Sequence, residues 1–242
     1  MIPVYVIHLQ RAVSRRAHAE MLCRRFGTRS EIVPAVDGTT MPKRGFWAKF
    51  WPFQFPPYPF GLRRAEIATF LSHRACWQRL VDDGHAAALI LEDDVELGDG
   101  FDRALALVQG HHTDNSFSRL PVKLREESGS ILASDGDTSL SRPHMVGLGM
   151  QAQFVTQGAA RQLLAASASF DRPVDAFLQM TWLHKVDVLT VWPSDVTETS
   201  GTLGGSTIHR PMSKPERLYR NLVRPIYRYA VKVKSLRARH DP

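Results

Sequence analysis

Residues 86–97 read Ala-Ala-Ala-Leu-Ile-Leu-Glu-Asp-Asp-Val-Glu-Leu. An uninterrupted apolar run, Ala86 to Leu91, stops at three carboxylates, Glu92, Asp93 and Asp94. A short continuous run of this kind predicts a strand buried on both faces, as in a parallel sheet. Acids at its carboxyl end stand where open α/β sheets bind ligands. Alternation along a strand puts Glu92 and Asp94 on one side and Asp93 on the other. Two carboxylates on one side suit a hard divalent cation, Mg²⁺ or Mn²⁺, and a cation there suits a phosphorylated donor. The plainer alternative is a solvated acidic turn after a core strand.

Working outward, the chain opens with Val4-Tyr5-Val6-Ile7, a first buried strand. A helix is expected from about Ser14 to Phe26, with Ala19, Leu22 and Phe26 at helical spacing and Gly27 as its stop. A second strand follows over Glu31–Val36, closed by the Asp37-Gly38 turn. Strand, helix, strand argues for a right-handed βαβ unit and an α/β sheet. Arg11, Arg15 and Arg16 at the end of the first strand could meet a nucleotide phosphate or form a solvated helix face. Residues 45–61 hold four prolines and eight aromatics, which excludes a regular internal element and suggests a lid, an acceptor loop or a membrane-touching loop. Leu62–Val81 is helical, with Ile67, Phe70, Leu71, Trp77, Leu80 and Val81 on one face, interrupted by Ser72 and His73.

At 242 residues the chain is long enough for one large α/β domain or two small ones, and at 43% hydrophobic and 23% charged its composition is that of an ordinary globular protein. No stretch approaches the roughly 18 apolar residues of a membrane span. The opening Met-Ile-Pro-Val-Tyr-Val-Ile lacks the marks of a signal peptide. Two cysteines, Cys23 and Cys76, without CxxC spacing suggest neither a disulfide framework nor a zinc site, which fits a cytoplasmic location. The net charge of +7 is concentrated: Arg210–Pro242 carries ten Lys or Arg against Glu216 and Asp241, +8, so the remainder is near −1.

Together, Val-Tyr-Val-Ile-His-Leu with Arg16, Ala35-Val36-Asp37-Gly38, Glu66-Ile67 ahead of Ser72-His73, Trp77, and Leu89-Ile90-Leu91-Glu92-Asp93-Asp94-Val95 resemble glycosyltransferase family 25. The match covers residues 1–102 in order. Val146-Gly147 to Gly158-Ala159-Ala160, Pro173-Val174-Asp175 and Gly205-Ser206-Thr207-Ile208 resemble its second half. The chain departs from the family at His8, where Asn is usual, at Ser14-Arg15-Arg16, and at Ala68-Thr69. The resemblance implies a single GT-A-like, Rossmann-type α/β domain over residues 1–209 with a mainly parallel central sheet. It further implies a UDP-sugar donor, most often UDP-galactose, a Mn²⁺ or Mg²⁺ ion, and inversion without a covalent intermediate. Under it Arg16, Arg63, Glu66, Ser72, His73 and Asp93 are the donor-binding candidates. Glu92, Asp94 and His209 are the metal ligands, with His184 in reserve, and Asp175 is the catalytic base.

Gln109–Pro143 reads as mostly loop, with short strands at Pro121–Leu124 and Ser130–Ala133. A strand region over Met145–Val155, helices over Gly158–Ala168 and from Pro173, and a final strand over Val186–Val191 complete the domain. Asp175 equally suits a plain helix N-terminus. The tail, residues 210–242, interleaves arginines with Tyr219, Leu222, Ile226, Tyr227 and Tyr229, a basic amphipathic helix suited to an anionic membrane surface more than to nucleic acid. Two readings stand. One is a hexosyltransferase peripheral on the inner membrane face, with a glycolipid or saccharide acceptor of lipopolysaccharide core type or a protein acceptor. The other is a non-catalytic α/β binding module using its tail for membrane or nucleic acid. A pure binder has no need of adjoining carboxylates at a strand end.

Overall fold

A computed structural model describes residues 2–41, 56–127, 129–199 and 214–240. Strand β1 (Val4–His8) is followed by α1 (Val13–Phe26), a 3₁₀ turn and β2 (Ser30–Pro34). Next come α2 (Arg64–Asp82), β3 (Ala87–Glu92), β4 (Val95–Leu97), α3 (Phe101–His111) and β5 (Ser116–Arg119). The hairpin β6 (Ser130–Asp135) and β7 (Thr138–Arg142) precedes β8 (Ala152–Thr156) and α4 (Gln157–Ala166). Short helices α5 (Val174–Leu178) and α6 (Thr181–His184), strands β9 (Asp187–Trp192) and β10 (Val196–Glu198), and the long helix α7 (Lys214–His240) close the described chain.

Eight strands form one sheet in the order β2-β1-β3-β8-β5-β9-β7-β6, and β10 pairs with β4 beside it. The α/β sheet expected from the sequence is present, but it is mixed. β2, β1, β3, β5, β9 and β6 run one way; β8 and β7 run the other, so four of the seven neighbour pairings are antiparallel. The apolar run of β3 sits beside β1, as its burial on both faces requires. Val4, Val6, Leu89 and Leu91 enter one core with α1 and α3. Tyr5, Ile7, Ala88 and Ile90 enter the other, with α2, α4 and α5. This alternation into two cores is what a sheet covered by helices on both faces demands.

The region read as mostly loop holds β5 and the β6–β7 hairpin. β5, Ser-Phe-Ser-Arg, lies between β8 and β9 with all four residues buried. Its serines and arginine carry no apolar signal; neighbouring strands supply its hydrogen bonds instead. Pro121–Leu124 is not a strand. Residues 145–151 are irregular, and the expected strand region is regular only from Ala152.

The basic tail is helical and packs on the body. Tyr227, Val231 and Ser235, four residues apart, are buried. Arg172, fully buried, donates from Nη1 to the Tyr227 hydroxyl at 2.9 Å and from Nη2 to the Pro56 carbonyl at 3.0 Å, and its charge is met by Asp171. Ser235 Oγ donates to the Gln179 carbonyl, and Lys232 pairs with Glu127 at 2.6 Å. The boundary expected at residues 209/210, and most of the 45–61 loop, lie outside the described residues.

Candidate active site

β1, β2 and β3 are parallel, so their carboxyl ends meet at one rim, where α2 passes alongside. A cavity of about 540 Å³ opens there, lined on its floor by Glu92, Asp93 and Asp94. Gly38 is needed at the rim: a Cβ on it would lie 2.8 Å from the Arg64 carbonyl oxygen, where the turn after β2 crosses the start of α2.

The three acids do not divide as a strand would divide them. β3 ends at Glu92, and Asp93 and Asp94 lie in the turn to β4, so alternation stops one residue early. Asp93 and Asp94 therefore converge on one cation. Arg15 Nη1 donates to Asp93 Oδ1 at 3.1 Å and to Asp94 Oδ2 at 2.9 Å. His8 Nδ1 donates to Asp93 Oδ2 at 2.7 Å, so the histidine in the usual place of Asn anchors the acidic turn. α1 grips the same turn from below, His18 Nε2 donating to the Val95 carbonyl and Arg25 Nη1 to that of Leu97.

Asp94 is the electrostatically distinct member. Burial, then the neighbouring Glu92 charge, push its carboxyl up to about 6, against the pull of Arg15. Its Oδ1 is buried without a hydrogen-bond partner. Its backbone carbonyl accepts from Thr199 N and Oγ1 at 2.8 and 3.0 Å, tying the turn to the segment after β10. Glu92 faces α2. Gln153 Nε2 donates to His73 Nδ1 at 2.8 Å, which leaves the proton on Nε2, 3.3 Å from Glu92 Oε1. Gln153 Oε1 accepts in turn from Trp77 Nε1 at 3.4 Å. A buried chain of four side chains thus fixes the tautomer of His73 and the position of Glu92.

The remaining candidates separate into those brought to the cavity and those that are not. Ser72 and His73 line it, with the Ser72 hydroxyl accepting from Val36 N and donating to the Ala68 carbonyl. Arg16 points outward and pairs with Glu20; its neighbour Arg15 is the arginine at the site. Arg63 and Glu66 do not line the cavity, and the Glu66 carboxylate accepts the Arg63 backbone N–H at 2.7 Å as the cap of α2. Asp175 is also absent from the cavity wall. It accepts from Ala176 N and Gly149 N at the start of α5; burial raises its carboxyl, opposed by those N–H groups and by the Arg119 charge. These are the contacts of the helix-terminus alternative for Asp175. His184 has both ring nitrogens engaged, Nε2 donating to the Leu178 carbonyl and Nδ1 accepting from Val186 N, and burial holds it down at about 4. It is a buried histidine with both ring nitrogens in use. His209 lies outside the described residues.

Sequence reasoning did not single out Arg64, Gln151, Gln153 or Glu198. Arg11, Arg64, Gln151 and Glu198 line the cavity, and Arg11 Nε pairs with Asp37 at 2.9 Å. A signal for Arg15 over Arg16 existed in the helical phase. The buried residues of α1 are Arg15, Ala19, Leu22 and Phe26, a single face.

A cavity at the carboxyl ends of parallel strands, acidic at its floor and with arginines at its rim, is the ligand crevice of an open α/β sheet. The sequence model of glycosyltransferase family 25 (LPS biosynthesis protein) matches residues 1–178, and the chain belongs to that family. It is 33% identical over 106 residues to the mouse (Mus musculus) protein named inactive glycosyltransferase 25 family member 3, a match covering 42% of this chain and 18% of that one. Over 109 residues it is 33% identical to a glycosyltransferase 25 family member of Aedes aegypti, 43% of this chain and 18% of the relative. Over 102 residues it is 30% identical to the lacto-N-neotetraose biosynthesis glycosyltransferase LgtB of Neisseria meningitidis serogroup B, 42% of this chain and 36% of LgtB. These matches span between about a fifth and a third of the relatives' lengths.

Proposed function

We propose that the protein is an inverting hexosyltransferase that moves galactose from UDP-galactose to a saccharide acceptor of lipopolysaccharide core type, assisted by Mn²⁺ or Mg²⁺. The observation that carries this is Asp94. Its buried Oδ1 lacks a partner, its charge is held at a cost by burial, and Glu92 stands beside it on the cavity floor. Such an oxygen suits a hard cation. Among the described residues no three His, Cys, Asp or Glu side chains are grouped to hold a metal; Asp94 and Glu92 would hold the ion, with His209, outside the described residues, as the further candidate ligand.

When bound, the ion would offset negative charge on the departing diphosphate. The chain's own groups do the rest. Arg11 and Arg64 at the rim offer their guanidinium groups to phosphate oxygens, and Arg15 pairs with Asp93 and Asp94 and holds both in place. The acceptor hydroxyl oxygen forms a bond to the sugar C1 as the bond from C1 to the diphosphate oxygen breaks and UDP leaves. The hydroxyl proton goes to a carboxylate. Glu198 lines the cavity from β10, across from the acidic turn, and is our candidate for that base. Cys23 and Cys76 are free, in keeping with a cytoplasmic enzyme.

The test is UDP binding and donor hydrolysis across a panel of UDP-sugars, with and without Mn²⁺, for the parent protein and Asp94→Ala. Metal-dependent binding that fails in the variant supports the donor site, and the preferred sugar names the reaction. Metal-independent binding, or none, defeats the proposal. The inactive designation of the mouse relative favours one second reading, a donor-binding module without transfer. It predicts metal-dependent UDP binding with no hydrolysis of any donor and no transfer to any acceptor.

A further inference from the structure

We propose that the outward face of α7 is a docking surface for an anionic lipid bilayer. Leu222, Ile226 and Tyr229 are 64%, 70% and 70% exposed, and Tyr219 is 49% exposed. Their spacing of three, four and three residues places them on one stripe of the helix. Tyr227, Val231 and Ser235 occupy the other side and are buried against the body. The helix is thus amphipathic twice over, with one apolar side seated and one open to solvent.

Charge selects the occupant. Lys214–His240 carries nine Lys or Arg against Glu216 alone, a net +8, and exposed Arg237 continues the stripe eight residues beyond Tyr229. A second copy seated on the stripe would bring +8 against +8. A nucleic acid would meet the arginines and leave the apolar stripe in water. An anionic bilayer takes both, the stripe entering the acyl boundary while arginine stems reach headgroup phosphates. No described helix is long and apolar enough to cross a membrane, so α7 would lie on the surface.

The seating gives this contact a consequence for the cavity. Tyr58 packs edge-on against Tyr227 with ring centres 5.5 Å apart, Phe60 packs against Tyr219, and Tyr219 Oη donates to the Pro59 carbonyl at 3.3 Å. Residues 56–60 lead into α2, whose Arg64 and Ala65 line the cavity. A bilayer held by α7 would therefore set the angle at which the cavity meets lipid-linked molecules. Docking itself does not depend on the transfer reaction, and its test reads no activity.

The experiment is co-flotation of the full chain with vesicles of phosphatidylcholine alone or with about one third phosphatidylglycerol, at about 0.1 M salt where surface charge is still felt. Binding is expected only with the anionic lipid. Leu222→Asn with Ile226→Asn should lower partitioning about tenfold through lost apolar burial. Arg237→Gln, on the stripe, should lower it roughly fivefold. Val13→Asn, at an exposed position on α1, should change nothing, and all variants should keep the parent thermal midpoint because the sites are exposed. Binding untouched by the apolar pair would overturn the proposal. So would duplex DNA or RNA binding, or a dimer in light scattering broken by the apolar pair, in the absence of vesicle binding.

Discussion

Replacing Arg15 by Met removes the one guanidinium shared by two buried carboxylates. The arginine side chain is 9% exposed and its partners 8% and 12%, so little water can take its place. Breaking a buried pair by deleting one partner costs about 3–5 kcal/mol. For a chain of this size that is a fall of about 6–20 °C in thermal midpoint. The loss should depend on pH in a defined sense. Asp94 already titrates near 6, above its ordinary range, so ionising it in the folded protein costs stability. Its favourable contribution is complete below about pH 4 and is lost as pH rises through 6, to about 3 kcal/mol. Without Arg15 its carboxyl must rise further, because the guanidinium that pulls it down is gone. At pH 5 Asp94 is then protonated in the variant, and its share of the penalty disappears. Urea unfolding followed by circular dichroism, at pH 7 and pH 5, should show the gap between parent and variant shrinking at the lower pH. A penalty under about 1 kcal/mol at pH 7, or an equal penalty at both pH values, would refute the electrostatic account of this turn.

Three further substitutions separate scaffold from chemistry. Asp175→Asn should leave kcat for donor turnover within a factor of about three, whereas loss of a general base costs about 10²–10⁴-fold; a drop of that size would return Asp175 to the reaction. Glu66→Ala should cost about 1 kcal/mol of stability through the lost cap of α2 while UDP affinity in a titration stays unchanged. Gly38→Ala should cost about 1–3 kcal/mol, since its Cβ would press on the Arg64 carbonyl, and should weaken UDP binding by moving the cavity rim. A Gly38→Ala protein with parent stability would show that the turn yields easily.

What the sequence revealed and what it hid divide along physical lines. β1 and β3 are continuous apolar runs and α2 has a broad apolar face, so they announce themselves, and with them the position of the acidic triplet at the carboxyl end of β3. β5 was hidden because it is four residues long with a single apolar side chain, held in place by partners distant in sequence. The site was legible as a location and less so as an arrangement. Assigning Glu92, Asp93 and Asp94 to alternating sides assumed that the strand persists through them, and it ends at the first. Arg16 and Arg15 are adjacent, and only the phase of α1 against its apolar face distinguishes them. Glu66 and Asp175 stand in the first turns of helices, where a carboxylate has a structural use whether or not it has a chemical one. Gln153 gave no warning, because its function is to orient His73, 80 positions away in the chain.

β8 runs against its neighbours, and that reversal changes how the crevice can diversify. The parallel strands deliver residues to the rim as they leave the sheet, but β8 begins there: Ala152 pairs with Leu91, and the Gln151 carbonyl accepts from Glu92 N at 2.8 Å. The irregular residues 145–151 are thus a lead-in that ends at the cavity and then enters five paired residues. Substituting Gln151, which lines the cavity, would alter the rim while the register from Ala87–Thr156 to Leu91–Ala152 stays fixed. A lineage could retune what the crevice accepts at this one position without moving the acidic turn, while Val146 and Met150 keep the lead-in seated in the core shared with α2.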